Sequence, residues 1–554
     1  MRRKRDEEKG GQNHPGRRAF LGGLALPALI RAADAAPARQ IVFAPQAMPA
    51  SLDPVATLTP AARTAGLAVF ETLYGTDARQ NPMPQMVQRH RVEEGGRQWV
   101  LQLRPEQMFH DGTPVTARDC VASLRRWMRG DRLGHALAER LASLEATAGD
   151  VLTIRLKQPL PLLPALLSKS QPGPPVIMPA RLAETDPATP VPEITGSGPF
   201  RLAKDSWQPG AGFRLVRFDR YTTRVEASNF TGGRRVALVD QVIWRDPADP
   251  LQALRDGTVD WVETLPLAVP DDLKDNRGLV LSRLNELGFY AVLRLNATHG
   301  PMSNPRLRQA VLATVDQTAV METVFGAGSD LFRTPAGLFL PGSAFVNDAG
   351  KDRVNAKRSP RAIRALLSEA GYRGEKLIVL TPAGDPVHAA LTAAVIEELR
   401  QAGLTIEERP VTRQALDALR DGQMGQNGQM GREDRALGAI PGAVPGAVPG
   451  ENWSAFCDSF PGADHMDPSG IRTGRAAGPG WPDDPAADRA RAAWIDTESL
   501  PLQNAAAARL QEQMFLTVPF IPLGQWFTTA AWRATLSGQQ TGACPVFWNV
   551  ARGG

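Results

Sequence analysis

The chain has 554 residues, of which 43% are apolar and 22% charged, the balance of a globular protein with room for about three or four domains. Its three cysteines exclude a disulfide scaffold, and the lack of any 18-residue apolar run excludes a membrane-spanning helix. Residues 1–35 hold eight Lys/Arg and four Asp/Glu and so carry +4 of the net +5; the near-neutral remainder gives no reason to expect a nucleic acid as partner.

The first 38 residues read as an export signal. A basic stretch leads into Gly16-Arg17-Arg18-Ala19-Phe20-Leu21, and an apolar run from Ala19 to Ile30 follows. Ala33-Asp34-Ala35 or Ala36-Pro37-Ala38 then offers small residues for cleavage. The run is too short to cross a bilayer. Arg17 and Arg18 ahead of Phe20-Leu21 resemble the twin-arginine export signal, with Gly16 where Ser or Thr is usual and Gly22 where Lys is common. An ordinary secretory signal that contains Arg-Arg is the alternative. The first cysteine is Cys120, far from the cleavage region, so the expected product is free in the periplasm without a lipid anchor.

Strands and helices alternate through the rest of the chain. Arg97-Gln98-Trp99-Val100-Leu101-Gln102-Leu103 alternates with the period of a half-buried strand. Thr116-Ala117-Arg118-Asp119 predicts a capping box at the head of a helix, with Val121, Leu124, Trp127 and Met128 on its apolar face and Gly130 at its end. Asn304-Pro305 and Ser359-Pro360 each predict a helix start, the second closed by Gly371. Lys376-Leu377-Ile378-Val379-Leu380 reads as a buried strand. Asp385-Pro386 begins a helix with Leu391, Val395 and Leu399 inward, and Leu404-Thr405-Ile406 starts a second strand after Gly403. Strand, helix and strand in that order predict a parallel pair with a right-handed crossover. Residues 421–450, rich in Gly, Gln and Met and ending in Pro-Gly-Ala-Val repeats, predict a flexible surface insertion. Residues 468–487 read as a second irregular loop.

Common catalytic signatures are missing. There is no Gly-x-Ser-x-Gly elbow, no His-Glu-x-x-His helix and no phosphate-cradling Gly-x-x-x-x-Gly-Lys loop. His110-Asp111-Gly112 reads as a turn. His465, between Asp464 and Asp467, offers at most a weak cation site, and Cys120 falls on a buried helix face. Cys457 and Cys544 can pair after export or remain thiols. No nucleophile stands with a base, and no metal or cofactor is expected. An exported chain of this kind points to binding rather than catalysis.

Several stretches, in order, carry a more specific signal. They are Ser51-Leu52-Asp53-Pro54, Val69-Phe70-Glu71-Thr72-Leu73-Tyr74, and Leu103-Arg104-Pro105 with Phe109-His110-Asp111-Gly112-Thr113-Pro114. Further on stand Thr195-Gly196-Ser197-Gly198-Pro199-Phe200, Leu254-Arg255-Asp256-Gly257-Thr258-Val259-Asp260, Asn304-Pro305-Arg306-Leu307-Arg308-Gln309-Ala310, Leu366-Leu367-Ser368-Glu369-Ala370-Gly371-Tyr372 and Val518-Pro519-Phe520-Ile521-Pro522-Leu523. Their joint order, from about 51 to 538, resembles the extracellular solute-binding proteins of the dipeptide, oligopeptide and nickel ABC importers (bacterial solute-binding family 5). Residues 421–450 depart from that pattern.

The resemblance implies an α/β, two-lobed clamshell of the large type II class, with an extra subdomain and a hinge of two chain crossings. The first lobe is expected from 39–58, 195–285 and 500–554, the subdomain from 59–194 and the second lobe from 286–499. It implies a monomer that is not an enzyme. The monomer captures a small peptide or similar solute between the lobes and delivers it to an ABC permease and ATPase in the inner membrane. Nickel chelate, haem, opine or sugar is the alternative cargo, and a secreted hydrolase or chaperone on the same fold is the rival class. In peptide-binding members an acid in a D-x-x-D-P-like stretch holds the ligand ammonium, which assigns that role to Asp464 in Asp464-His465-Met466-Asp467-Pro468; as an ordinary residue it would be a loop cap or surface acid. Trp453 and Phe456 are expected as apolar cleft walls, or else as core. Gly196 and Ser197 are expected where backbone approaches the ligand, or else as a plain turn. Met48 is expected near the ligand, or else in the core. Many arginines are available for a ligand carboxylate, and none stands out.

Overall fold

The computed structural model describes residues 39–354, 358–420, 453–468, 471, 473–474, 477–497 and 499–553. The expected export signal with Arg17 and Arg18, and the insertion 421–450, lie outside the described residues. Two mixed sheets and one smaller antiparallel sheet organise the chain. The first has seven strands in the spatial order Phe200–Leu202, Gly212–Arg217, Gln241–Arg245, Gln40–Ala44, Trp261–Val262, Ala530–Arg533 and Leu279–Ser282. Gln40–Ala44 runs parallel to both its neighbours. Phe43, Trp244, Trp261 and Phe547 meet on one face of this sheet with ring centroids 4.8–5.7 Å apart. These rings supply the large apolar areas that fix a core.

The second sheet has six strands: Phe332–Arg333, Phe520–Trp526, Phe289–Leu295, Ala455–Pro461, Leu377–Ala383 and Ile406–Thr412. The predicted crossover unit is here. Leu377–Ala383 and Ile406–Thr412 are parallel, and the helix between them, Pro386–Gln401, is capped by the Asp385 carboxylate and buries Leu391, Val395 and Leu399. Asn304 and Ser359 cap their helices through their side chains as the sequence suggested. The four-stranded sheet, Val87–Glu93, Gln98–Leu103, Val151–Leu156 and Leu141–Ala148, lies within 59–194. Its strand Gln98–Leu103 alternates half-buried and buried residues. The helix Ala117–Gly130 begins at the Thr116/Asp119 capping box. Gly130 is its last residue, and the helix is closed by Asp131 in an extended conformation rather than by a left-handed glycine.

The expected boundary at 500 needs correction. The helix Leu500–Thr517 packs Leu510 and Met514 against Tyr290 and Phe520, and Phe520–Trp526 pairs with Phe289–Leu295, so both belong with the second sheet. The chain returns to the first sheet only at 527–529. The two crossings are therefore 283–288 and 527–529. They are tied together where the Gln525 side chain donates to the Leu287 carbonyl at 2.8 Å. Gly288 has φ +52° and lies so close to the Trp526 carbonyl that a Cβ would come within 2.2 Å of it, so no other residue fits without strain. Cys457 and Cys544 are free thiols, each buried in a different apolar cluster, and the expected possible pairing is absent.

The subdomain is welded to the first lobe by a buried ion pair. Arg126, on the helix Ala117–Gly130, donates to both carboxylate oxygens of Asp53 at 3.1 and 2.8 Å, with the side chains 1% and 0% exposed. Asp53 also accepts the Val55 and Val191 amides. Removing one member leaves the other charge buried and alone, so Arg126→Met is expected to lower the unfolding free energy by about 3–5 kcal/mol in urea titrations. A loss below about 1 kcal/mol, the range of surface pairs, would contradict the weld.

Candidate functional site

A cavity of about 1270 Å³ lies between two walls from different parts of the chain. One wall comes from the first lobe and the subdomain: the loop 56–60, Thr76, Gln80, the helix Arg132–Arg140 and the stretch 160–172. The other comes from the second lobe: Phe289, Arg294, residues 459–467, the loop 477–481 and Trp494. Its volume is above the range of roughly 300–1000 Å³ usual for small-molecule pockets.

The second-lobe wall grows from the end of the strand Ala455–Pro461. A single 3-10 turn, Gly462–His465, follows. In it His465 turns inward, donates from Nδ1 to the Leu338 carbonyl at 2.9 Å and packs on Tyr290 with centroids 4.3 Å apart. Burial pushes its pKa down to about 4, so it is neutral, and among the described residues no group of three or more His, Cys, Asp or Glu could hold a metal ion. The same turn leaves Asp464 and Asp467 lining the cavity. Phe460 and Trp481 give this wall its apolar area, and Arg294 is held between Phe456 and Trp481, 5.2 and 5.1 Å from the ring centroids, while donating to the Pro479 carbonyl. The irregular loop read at 468–487 is thus a cleft wall in its 477–481 portion.

Of the residues expected to contact the ligand (Asp464, Trp453, Phe456, Gly196, Ser197 and Met48), Asp464 alone lines the cavity. Trp453 and Phe456 are 2% and 1% exposed and pack with Leu380, Val411, Leu416 and Leu419. Phe456 has the same facing as Phe460 but sits four residues back, about 13 Å along a strand, and touches the site only through Arg294. Gly196 and Ser197 form a packed turn. A Cβ on Gly196 would lie 2.1 Å from the Val69 carbonyl. His110 clamps the turn, its Nδ1 accepting the Gly196 amide and its Nε2 donating to the Gly198 carbonyl at 3.0 Å. Burial lowers the His110 pKa to about 4, in keeping with this neutral role. Met48 packs against the core of the first sheet.

The structure also joins residues that sequence reasoning left apart. Ser459 Oγ lies 2.9 Å from His388 Nε2, and His388 Nδ1 lies 2.7 Å from Asp385. The order is that of a nucleophile, base and orienting acid, contrary to the expectation that no nucleophile has a base. Its other bonds are structural. Asp385 caps the helix Pro386–Gln401 and pairs with Arg413 at 2.8 Å, and Ser459 Oγ accepts the Trp526 indole N–H at 3.0 Å. The first-lobe wall was also missed. Lys169, Gln80 and the leucines at 160–166 belong to no motif; the only signal was a run of leucines and prolines in an irregular stretch. Arg140 donates across the mouth of the cleft to Asp496 at 3.2 Å, and Ile495 beside it packs on the subdomain core.

The comparisons with known proteins agree with this architecture. Residues 81–434 match the model of the bacterial extracellular solute-binding proteins, family 5 middle region. The "Probable peptide ABC transporter periplasmic-binding protein y4tO" of Sinorhizobium fredii (strain NBRC 101917 / NGR234) is 30% identical over 534 residues, 96% of each chain. The Helicobacter pylori periplasmic binding protein DppA, solved with the peptide STSA, superposes with a TM-score of 0.72 at 16% identity, covering 93% of this chain and 98% of the other. AgaA of A. tumefaciens R10, solved with agropinic acid, gives 0.71 at 19% identity, covering 93% and 99%. At such identities the last two are likenesses of fold.

The buried histidines make stability depend on pH. The unfolded chain takes up a proton near pH 6.5 at His465, and the folded chain only near 4, so between these values the unfolded state binds more protons and acidification destabilises the fold. The contribution lost is on the order of 2–3 kcal/mol across that window. His465→Gln is expected to flatten the fall in unfolding free energy from pH 7 to 4.5, measured by urea titration at each pH. An unchanged slope would contradict the assignment.

Proposed function

The chain belongs to the bacterial extracellular solute-binding proteins of family 5, and on that footing we propose that it is the periplasmic substrate-binding component of an ABC importer whose cargo is a peptide-like solute. The cargo is enclosed between the lobes and passed unaltered to the permease and its ATPase. Export through the segment that carries Arg17 and Arg18, without a lipid anchor, completes the reading; the working form is a monomer.

The observation that carries it is the interlobe cavity, large, with apolar walls and with Asp464 on the second-lobe side. Two lobes joined by two short crossings can close, and a ligand drives closure only if it binds the closed form better than the open one. A cavity lined from both sides meets that requirement. Asp464 is assigned to the ligand ammonium, where a carboxylate gives a charge-assisted hydrogen bond that strengthens as the closing cleft expels water. The peptide-transporter name of the 30%-identical relative favours peptides over nickel chelates, haem, opines or sugars.

Asp464→Ala is expected to weaken binding of free-amine peptides by about 3–5 kcal/mol, the loss for removing one partner of a buried pair, while N-acetylated peptides bind equally poorly to both forms. Isothermal calorimetry that shows unchanged affinity would contradict the role of Asp464.

A further inference from the structure

We propose that Lys169 holds the carboxylate end of the ligand, on the wall of the cleft that faces Asp464; this deepens the peptide-like reading above and rests on it. Lys169 follows the helix Leu163–Leu167, lines the interlobe cavity and keeps its side chain 13% exposed. It is positioned by Asp131, whose backbone N–H closes the helix Ala117–Gly130 on the Trp127 carbonyl and whose carboxylate caps the start of the helix Arg132–Arg140. One oxygen of Asp131 accepts the Leu133 and Gly134 amides at 2.9 and 3.2 Å, and the other accepts the Lys169 ammonium. The negative charge of Asp131 is thus shared between two helix amides and the ammonium. An ammonium has three donors, and Asp131 uses one.

Gln80 stands on the same wall. It lines the cavity, and its backbone is held at φ +69°, a conformation that non-glycine residues adopt at a cost and that recurs at ligand sites. Ser170, next to Lys169, donates to the Gln80 side-chain oxygen at 2.6 Å, which ties the two segments of this wall together. A carboxylate seated here would meet the Lys169 ammonium.

The placement also answers what makes the cleft close. Arg294 is the obvious alternative, but it stands on the same wall as Asp464. A zwitterion bound by Asp464 and Arg294 would satisfy both its charges on one lobe and would gain little from closure. A zwitterion bound by Asp464 and Lys169 has one charge on each lobe, and only the closed form satisfies both.

The test uses the mature protein and a pool of tri- and tetrapeptides, presented either with free C-terminal carboxylates or as C-terminal amides, with retained peptides measured by mass spectrometry. The wild type is expected to retain the carboxylate pool at least tenfold better than the amide pool. Lys169→Met should abolish that preference, and Lys169→Arg should keep most of it, with circular dichroism showing both variants folded. Wild-type preference that survives Lys169→Met, or equal retention of both pools by the wild type, would overturn the role of Lys169 while leaving the peptide reading intact. Retention of neither pool by the wild type would overturn the peptide reading, and this inference with it.

Discussion

Asp53 is fully buried, and both of its carboxylate oxygens are occupied by Arg126 and by backbone amides. Arg126 also donates to the Thr185 and Thr189 carbonyls, so one ion pair gathers the start of the first lobe, the main helix of the subdomain and the loop that leads back to the first lobe. Two further welds act in parallel. The His110 clamp fastens the Gly196–Gly198 turn, and buried Glu71 accepts from Tyr221 and Gln85 at 2.8 Å. The cleft wall that runs from residue 56 to residue 172 can therefore move only as one body with the first sheet. By contrast, among the described residues the main chain passes between the first sheet and the second at 283–288 and 527–529. Rigidity on one side and two short crossings on the other confine the motion to the hinge.

That mechanical division gives meaning to the layout of charge. The cavity has apolar surface from Leu162, Leu166, Phe460 and Trp481, acids on the second-lobe side and Lys169 on the other. Apolar surface rewards burial of any hydrophobic side chain and selects weakly among them. Charges at fixed places select for ligands with matching ends. The Arg140–Asp496 pair across the mouth is partly exposed, with side chains 20% and 46% accessible. Such a pair contributes at most about 1 kcal/mol. It can bias closure without holding an empty cleft shut, which leaves the main driving force to the cargo.

What the sequence made legible follows the range of the interaction concerned. Helix starts at Thr116, Asn304, Ser359 and Asp385 were readable because a cap and the amides it serves lie within three residues. The parallel unit at 377–412 was readable because a strand, a helix and a strand in short succession have few ways to pack. The sheet to which Phe520–Trp526 belongs was not readable, since a buried strand carries no local mark of its partners. Trp453 and Phe456 show the same limit: their facing was inferable, but their distance from the end of the strand was not. The glycine at 196 was recognised as a point of close approach, yet what approaches is the Val69 carbonyl rather than a ligand. Lys169 and Gln80, 89 residues apart in sequence, meet only through tertiary packing, and no motif announces either. The Asp53–Arg126 pair was half visible, since Asp53 lay in a family motif while its partner, 73 positions away, lay in none.

The claim on which the account turns is that the interlobe cleft encloses a peptide-like solute and leaves it chemically unchanged. The most direct measurement is native mass spectrometry of the protein taken from its own periplasm, followed by denaturation and sequencing of whatever is released, then reloading of the protein with the released compound. The account predicts a peptide that rebinds and is recovered at the same mass after prolonged incubation. A non-peptide solute would contradict the assigned cargo, and a peptide recovered as fragments would contradict transport without chemistry and point instead to Ser459, His388 and Asp385.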